Sequence, residues 1–592
     1  MRRTGSRDHR ILFARGLFMR GRAMISSQAL LAAHSPLPDL WGEGALFAPS
    51  GLDGPTCSAA HFVLTYGSQP YDLLVQTAAP YLLRIRLMEG ATLVAATGDV
   101  LAAETAAGDL IVTFCAWHTA IGQLPPGAQV ELLPLPAVAP ADPRAPSYQP
   151  TRWRETETLA LQHTADRFAL AYGETLQDAL ARAQAGLTAD LAAEVSARLA
   201  FYAAVPRGAT AGETRFLRKC ASVMKVNTLG PEGAIRRRWS TPDRAPHQHM
   251  WLWDSVFHSF GMNRINPELA WEFLLAVLEA QRPDGMIPHM MTVSGHASAI
   301  TQPPLLAWSV WENYGFLRDR ARLAEAFPRL EAYLAWNLAH RDRNGNGLLE
   351  WRIEENAKSR SGESGMDNSP RFDAGLIVDA VDFSAYQAHD MFCLSQIAAE
   401  LGLTDRAVLW GERGRVMARA IHARLWDEAT GFYFDRDFAG DLVRVRAVSG
   451  FTPLLLPDLP AGRTARLVAA LRDPTAFAAA CPIPSVALDE PAWSTDMWRG
   501  AAWINMNYLV IEGLRRQGCH DTAARLAAQT AGFVRRAYES EGVLHEFFDA
   551  RNSRPHAACD RKGPPHLPYD FRAQYGVIRD YHWTAALILA EH

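Results

Sequence analysis

The hydrophobic period changes partway along this 592-residue chain, and that change limits its possible architectures more than any other feature. From about residue 28 to 135 the apolar residues come in short runs such as HFVLTYG, YDLLVQTA, YLLRIRLMEG and DLIVTFCAW. These runs are rich in β-branched and aromatic residues and are broken by Gly, Pro, Asp and Ser, which predicts an all-β sandwich. A Pro-rich stretch from about 131 to 150 reads as a stiff connection. Beyond it the period becomes 3.6 residues. TLQDALARAQAGLTADLAAEVSARLAFYA opens this part, and helical segments recur at about 267–280, 301–318, 322–340, 383–401, 404–423, 461–471, 499–517, 520–539 and 582–591. Consecutive helices joined by loops dense in Trp, Asp, Glu, Gly and Asn suggest a closed ring of helical hairpins whose mouth those loops line. The expected fold is thus multidomain α and β. Residues 1–27 are an extension or disordered arm, 28–150 an N-terminal β-sandwich, and 151–592 a six-hairpin (α/α) toroid begun by a linker helix.

Charge and cysteine content exclude several functions. Lys and Arg number 59 against 63 Asp and Glu, so no basic field exists to hold nucleic acid. The seven cysteines are scattered without a CxxC pair, against a disulfide framework or a Cys-rich zinc site. No apolar stretch reaches the length of a membrane span. Arg15 and Arg20 interrupt any secretory signal, which makes a cytoplasmic protein the expectation, and Met24 is an alternative start. The sequence carries no sign of oligomeric state.

Five segments carry chemistry. In HMWLWDSVFHSFGM, Trp251 and Trp253 with Asp254 suit a sugar, since a carboxylate accepts hydroxyl hydrogen bonds while an indole covers the C–H face. The competing reading is a helix cap beside core tryptophans. In HRDRNGNGLLEW, Asp342, Asn344, Asn346 and Glu350 place oxygens around a glycine turn, the donor set of a structural Ca2+ or of a plain Asn-Gly turn. SGESGMDNSPRFD holds Glu363, Asp367 and Asp373 in a loop with few apolar anchors, which favours a catalytic or binding role. In STDMWRGAAWINMNYLVIEGL, Asn505 and Asn507 need partners inside an apolar helix, from the core or a ligand. In GVLHEFFDARNSRP, Glu546 lies among aromatics that tune its charge.

Taken in order, MWLWDSVFHSFGM, LEAQRPDGMIPHM, DRNGNGLLEW, ESGMDNSPRFD, WRGAAWINMNYLVIEGL, LHEFFD and HWTAALILA resemble glycoside hydrolase family 63 and its bacterial mannosylglycerate and glucosylglycerate hydrolase-like relatives. The resemblance spans about residues 210–592. It implies Asp367 as general acid and Glu546 as general base of an inverting exo-acting α-glycosidase that cleaves an α-glucosyl or α-mannosyl bond in a small glycoside or oligosaccharide. It implies that Trp253 and Asp254 grip the sugar, and that Gln281, Trp498, Arg499, Trp503 and Trp583 line the pocket. The turn at Asp342 then matches a calcium loop of some members, and no organic cofactor is required. Two departures stand out: RGAAW replaces RGPxW, and a His, Pro and Arg rich insertion at 551–578 replaces a short turn after the base. An anionic aglycone would call for a rim arginine, for which Arg352, Arg371 and Arg499 are candidates. Rival functions are a trehalase-like or debranching glucosidase, an epimerase or isomerase using paired histidines from among His249, His289, His389 and His545, and a sugar-binding protein with no use for two acids.

Overall fold

The computed structural model describes residues 14–15, 24–58, 62–67, 71–76, 80–87, 90–136, 158–571 and 576–592. The chain divides into two compact units, Met1–Val226 and Asn227–His592.

The first unit is built on two sheets. One has seven strands, in the order Ala14–Arg15, Thr158–His163, Arg167–Gly173, Thr119–Gln123, Gly108–Ala116, Val100–Thr105 and Thr92–Ala96. The other has five, in the order Gln129–Pro134, Tyr81–Arg86, Asp72–Gln76, Val63–Tyr66 and Leu46–Phe47. Alternation fixes which side is buried: Tyr81, Leu83 and Ile85 point inward while Leu82, Arg84 and Arg86 do not. Leu101, Leu110, Val112, Phe168 and Leu170 of one sheet share a single apolar cluster with Leu64, Leu73, Leu83, Ile85 and Leu132 of the other. Each such side chain contributes roughly 1.5–3 kcal/mol on burial.

Among its described residues this unit also holds the α-helices α1 Ser27–Leu31, α2 Leu176–Thr188, α3 Leu191–Leu199 and α4 Ala211–Val226. The boundary expected at 150 therefore moves to Val226, because two strands beyond the Pro-rich stretch belong to the large sheet and α2 packs on them. The Ala-rich period at 176–188 reads equally as a ring helix. Its buried face of Ala179, Ala183 and Gly186, however, suits a helix laid flat on a sheet. A Cβ on Gly186 would meet the side chains of Ala169 and Thr119 at 2.9 Å. Residues 131–134, expected as connection, are strand. Of the expected N-terminal arm, Ala14–Arg15 pair with Gln162–His163 and Ser27 opens α1, while 1–13 and 16–23 lie outside the described residues, as does 137–157 of the connection.

The second unit holds α5 Leu252–Met262, α6 Pro267–Glu279, α7 Leu306–Leu317, α8 Arg320–Arg341, α9 Val381–Glu400, α10 Thr404–Arg424, α11 Arg463–Arg472, α12 Ile504–Arg516, α13 His520–Glu541 and α14 His582–Ala590. Neighbours in sequence pack as pairs, among them α5 with α6, α9 with α10 and α12 with α13, and the last helix, α14, packs on the first, α5. That contact is tight, for a Cβ on Gly261 would lie 2.2 Å from the Ala586 carbonyl oxygen. Local chemistry sets the helix starts. Asn266 caps α6 with Pro267 at its first turn, and Asp390 of α9 accepts from the Ala307 and Trp308 amides that open α7, at 2.8 and 2.9 Å. Among the described residues no helix is long and apolar enough to cross a membrane.

Candidate active site

The loop between α8 and α9 holds Asp367 in a short, heavily bonded turn. Ser361 N donates to the Asp367 carbonyl, Met366 N to Ser364 Oγ and Ser369 N to the Met366 carbonyl. Gly365 adopts φ 71°, and a Cβ there would strike the Trp253 indole at 2.3 Å, so glycine is required both for the turn and for the close approach. Glu363, expected as a possible functional acid of this loop, instead pins it down. It is buried against Arg341 and accepts from the Thr301 and Arg352 amides.

Glu546 lies on an extended segment beyond α13. Its own N–H donates to the Ile578 carbonyl (2.9 Å), and Phe548 pairs with Ala502. The 551–578 insertion supplies partners for both acids from adjacent residues. Arg561 Nε donates to Glu546 Oε2 at 2.7 Å and Nη2 to Oε1 at 3.2 Å, while Lys562 Nζ lies 2.6 Å from Asp367 Oδ2. Arg561 Nη2 also reaches His247 Nε2 (3.1 Å), whose Nδ1 bonds Asp243 Oδ2 (2.8 Å). Burial pushes the Asp367 carboxyl up, but Lys562, with Arg561 and His289, more than offsets this and holds it below the ordinary carboxylate range. Asp254, on the first turn of α5, is buried, and burial together with the charges of Asp243, Glu546 and Asp367 pushes its carboxyl well above that range. Asp254, Asp367 and Glu546 thus occupy one electrostatic neighbourhood.

The four tryptophans expected at the site come together. Trp498 and Trp503 stack at 3.8 Å between centroids, Trp583 meets Trp503 and Trp253 edge-on at 5.6 Å each, and Trp253 lies 6.3 Å from Trp498. Their rings pack on one another and are no more than 3% exposed, so the Trp253 indole, expected to cover a sugar's C–H face, is part of a buried aromatic wall. Trp251, which contacts His247 and His289 edge-on, is the half-buried one of its pair.

Other expected residues are committed elsewhere. Gln281 donates to the carbonyls of Gly285 and Arg329, at 2.9 and 2.7 Å, and holds a turn after α6 rather than joining the acids. Gln302 is the glutamine beside Trp253, accepting from its amide at 3.1 Å, and the GlnProPro run ahead of α7 is the signal that marks it. Arg371 is buried between Asp382 and Asp435, which removes it from the candidate anion readers. Arg499 forms a two-bond clamp on Asp373. Asn507 donates its Nδ2 to Pro482 O and Thr530 Oγ1 while its Oδ1 lacks a protein partner, as do both polar atoms of buried Asn505. Of the four histidines weighed for an epimerase, three have other partners: His289 bonds Ser298, His389 faces Cys393 and His545 bonds Glu541. Arg561, Lys562, His247 and Asp243 were not singled out from the sequence.

The oxygen-rich turn forms, with a mixed fit to a cation. Asp342 accepts from the Asn346 and Gly347 amides, and Asn344 and Asn346 donate their side-chain amides to Asp379 at 2.9 and 2.7 Å. Among the described residues no group of three or more His, Cys, Asp or Glu is spaced for a metal ion. Glu350 nevertheless leaves Oε1 buried without a partner, and burial pushes its carboxyl up to about 7. Carboxamide oxygen and nitrogen exchange places by a simple flip, so Asn344 and Asn346 are compatible with oxygen ligation as well.

Two acids from distant segments in one electrostatic neighbourhood with a tryptophan wall suit a glycoside hydrolase. Residues 247–584 match the mannosylglycerate hydrolase MGH1-like glycoside hydrolase domain, and the chain belongs to that family. The mannosylglycerate hydrolase of Thermus thermophilus is 29% identical over 420 residues, which cover 56% of this chain and 94% of that protein. The glucosylglycerate hydrolase of Mycolicibacterium hassiacum is 25% identical over 443 residues, 58% of this chain and 94% of that one. A crystal structure of the GH63 mannosylglycerate hydrolase from Thermus thermophilus in complex with glucose superposes with TM-score 0.52 at 28% identity, covering 63% of this chain and 99% of that one. A bacterial glucoamylase complexed with acarbose, 9% identical, shares the fold with TM-score 0.55 over 93% of this chain and 94% of its own.

Proposed function

We propose that this glycoside hydrolase cleaves an α-glucosyl or α-mannosyl bond of a small glycoside with inversion, with Asp367 as general acid and Glu546 as general base. The observation that carries the reading is the convergence of these two carboxylates, remote in sequence, on the neighbouring residues Arg561 and Lys562. Inversion asks for two carboxyl groups about 6.5–9.5 Å apart, one donating to the leaving oxygen and one taking a proton from water on the opposite face. Asp254, whose buried carboxyl is pushed well above the ordinary carboxylate range, is placed to hydrogen-bond a sugar hydroxyl. The tryptophan cluster packs against the Asp367 loop at Gly365, and Arg499 holds that loop through Asn368 and Asp373. A six-hairpin (α/α) ring, following a β-sandwich along the chain, is the architecture in which such loops meet, and the packing of α14 on α5 supports it. Relatives named for mannosylglycerate and glucosylglycerate make glycosylglycerates the first substrates to offer. We also infer a structural Ca2+ at Asp342, Asn344, Asn346 and Glu350, supported by the orphaned Glu350 oxygen and outside the chemistry. Proton NMR of a fresh reaction with an α-linked substrate tests the central claim. The β-anomer first is expected, and the α-anomer first rejects the roles given to Asp367 and Glu546.

A further inference from the structure

The insertion after Glu546 puts a cation on each acid. From Asp549 to Phe571 it has one short 3-10 turn, His556–Ala558, and no other regular structure. Irregular segments of this length inside compact domains are usually lids or binding loops. Arg551–Pro555 and His566–Pro568 are exposed, while His556, Cys559, Arg561 and Phe571 point into the protein. At its centre Asp560 O accepts from Met497 N, and Lys562 N donates to Asp496 Oδ1 at 2.8 Å. Lys562 is a non-glycine residue at φ 56°, a left-handed conformation that persists only where its surroundings hold it.

Neither acid is ready for its task in this arrangement. Both Glu546 oxygens face the Arg561 guanidinium, and Glu546 Oε2 also accepts from Ile578 N at 3.4 Å. Asp367, which must arrive protonated, is paired with an ammonium that favours its ionised form. We propose that the Asp549–Phe571 segment is a self-blocking strap, whose Arg561 and Lys562 occupy the two catalytic carboxylates in the resting enzyme and must withdraw before a glycoside is cleaved. The proposal rests on the assignment of Asp367 and Glu546 as the catalytic pair. Apparent activity then scales with the open fraction, so a strap closed in about ten molecules for each open one hides about tenfold in kcat/KM.

The test compares wild type with Lys562→Gln and with Arg561→Gln/Lys562→Gln. The probes are 4-nitrophenyl α-D-glucoside, 4-nitrophenyl α-D-mannoside, mannosylglycerate and glucosylglycerate, and thermal melting by circular dichroism checks folding. A rise in kcat/KM of about tenfold in Lys562→Gln is expected. The alkaline limb of its pH profile should also move to higher pH, because Asp367 then keeps its proton longer. Arg561 and His289 still face Asp367 from the positive side and Glu354 and Asp254 from the negative side. Lys562 is partly exposed, so this variant decides the matter even where the double variant fails to fold. Unchanged or lower activity in a folded Lys562→Gln overturns the strap. Asp367→Asn and Glu546→Gln in the Lys562→Gln background separate the two claims: persisting activity there rejects the catalytic pair, whereas their silence with no gain from Lys562→Gln rejects the strap alone.

Discussion

Arg499 holds Asp373 by two parallel hydrogen bonds, Nη1 to Oδ1 and Nη2 to Oδ2, both 2.8 Å, and uses Nη1 a second time on the Asn368 carbonyl at 3.1 Å. One guanidinium therefore fixes two points of the loop, and one of them adjoins Asp367. A lysine keeps the charge but cannot span both oxygens. Arg499→Lys should lower kcat by about tenfold while KM and the melting temperature change little, since misplacement of the acid acts on turnover. An equal loss in kcat and thermal stability would assign Arg499 to folding instead.

The two acids should fail differently when made amides. Asp367→Asn removes the proton donor, so its loss should be largest for alkyl leaving groups and milder for aryl glycosides that leave unaided. Glu546→Gln should abolish turnover whatever the leaving group. Steady-state kinetics on paired alkyl and aryl substrates reads the contrast, and equal losses in both variants would remove the division of labour.

Trp503 is stacked on Trp498, 4.7 Å from Phe547 and 1% exposed. Trp503→Ala should cost roughly 3–5 kcal/mol of stability through the cavity it leaves. Trp253→Ala belongs to the same wall and should destabilise as well as weaken sugar binding. Denaturant unfolding measures this, and a Trp503→Ala variant as stable as wild type would mean the cluster is loosely packed.

Asp254 sets a pH dependence. Its folded-state carboxyl binds a proton more tightly than in the unfolded chain, so its share of stability is fully present in acid and declines as pH rises past the ordinary carboxylate value of about 3.9. Asp254→Asn should remove that decline, and the gain in melting temperature over wild type should grow from pH 4 towards neutrality. A gain independent of pH would show that Asp254 is ionised in the fold.

Exhaustive chelation should lower the melting temperature without changing the chemistry of the remaining folded enzyme, if Glu350 Oε1 and its neighbours hold Ca2+. An unchanged melting curve with no metal by elemental analysis would leave an Asn-Gly turn.

Legibility from sequence tracked how local the governing interaction is. Helices such as α8 and α13 were readable because their buried faces repeat at 3.6 residues, and the tryptophan and acid motifs stood out by type. The unit boundary was not readable, because Ala179, Ala183 and Gly186 form a face that suits a sheet as well as a helix. The two prolines after Gln302 mark it in the sequence, but only the fold places it, rather than Gln281, next to Trp253. The pairing of Lys562 with Asp367 joins residues 195 positions apart through an insertion without periodicity, and no local pattern encodes it.

The bond from the Glu546 amide to the Ile578 carbonyl has a consequence for how this family can diversify. The chain leaves the site just after Glu546 and returns beside it, stapled at the neck, so what lies between behaves as an appendix with fixed ends. Loop closure becomes only slowly costlier with length. The appendix can lengthen, shrink or be exchanged while Glu546 keeps its backbone position. Under the proposed strap, control over access to the site can thus be rewritten in one stretch of sequence.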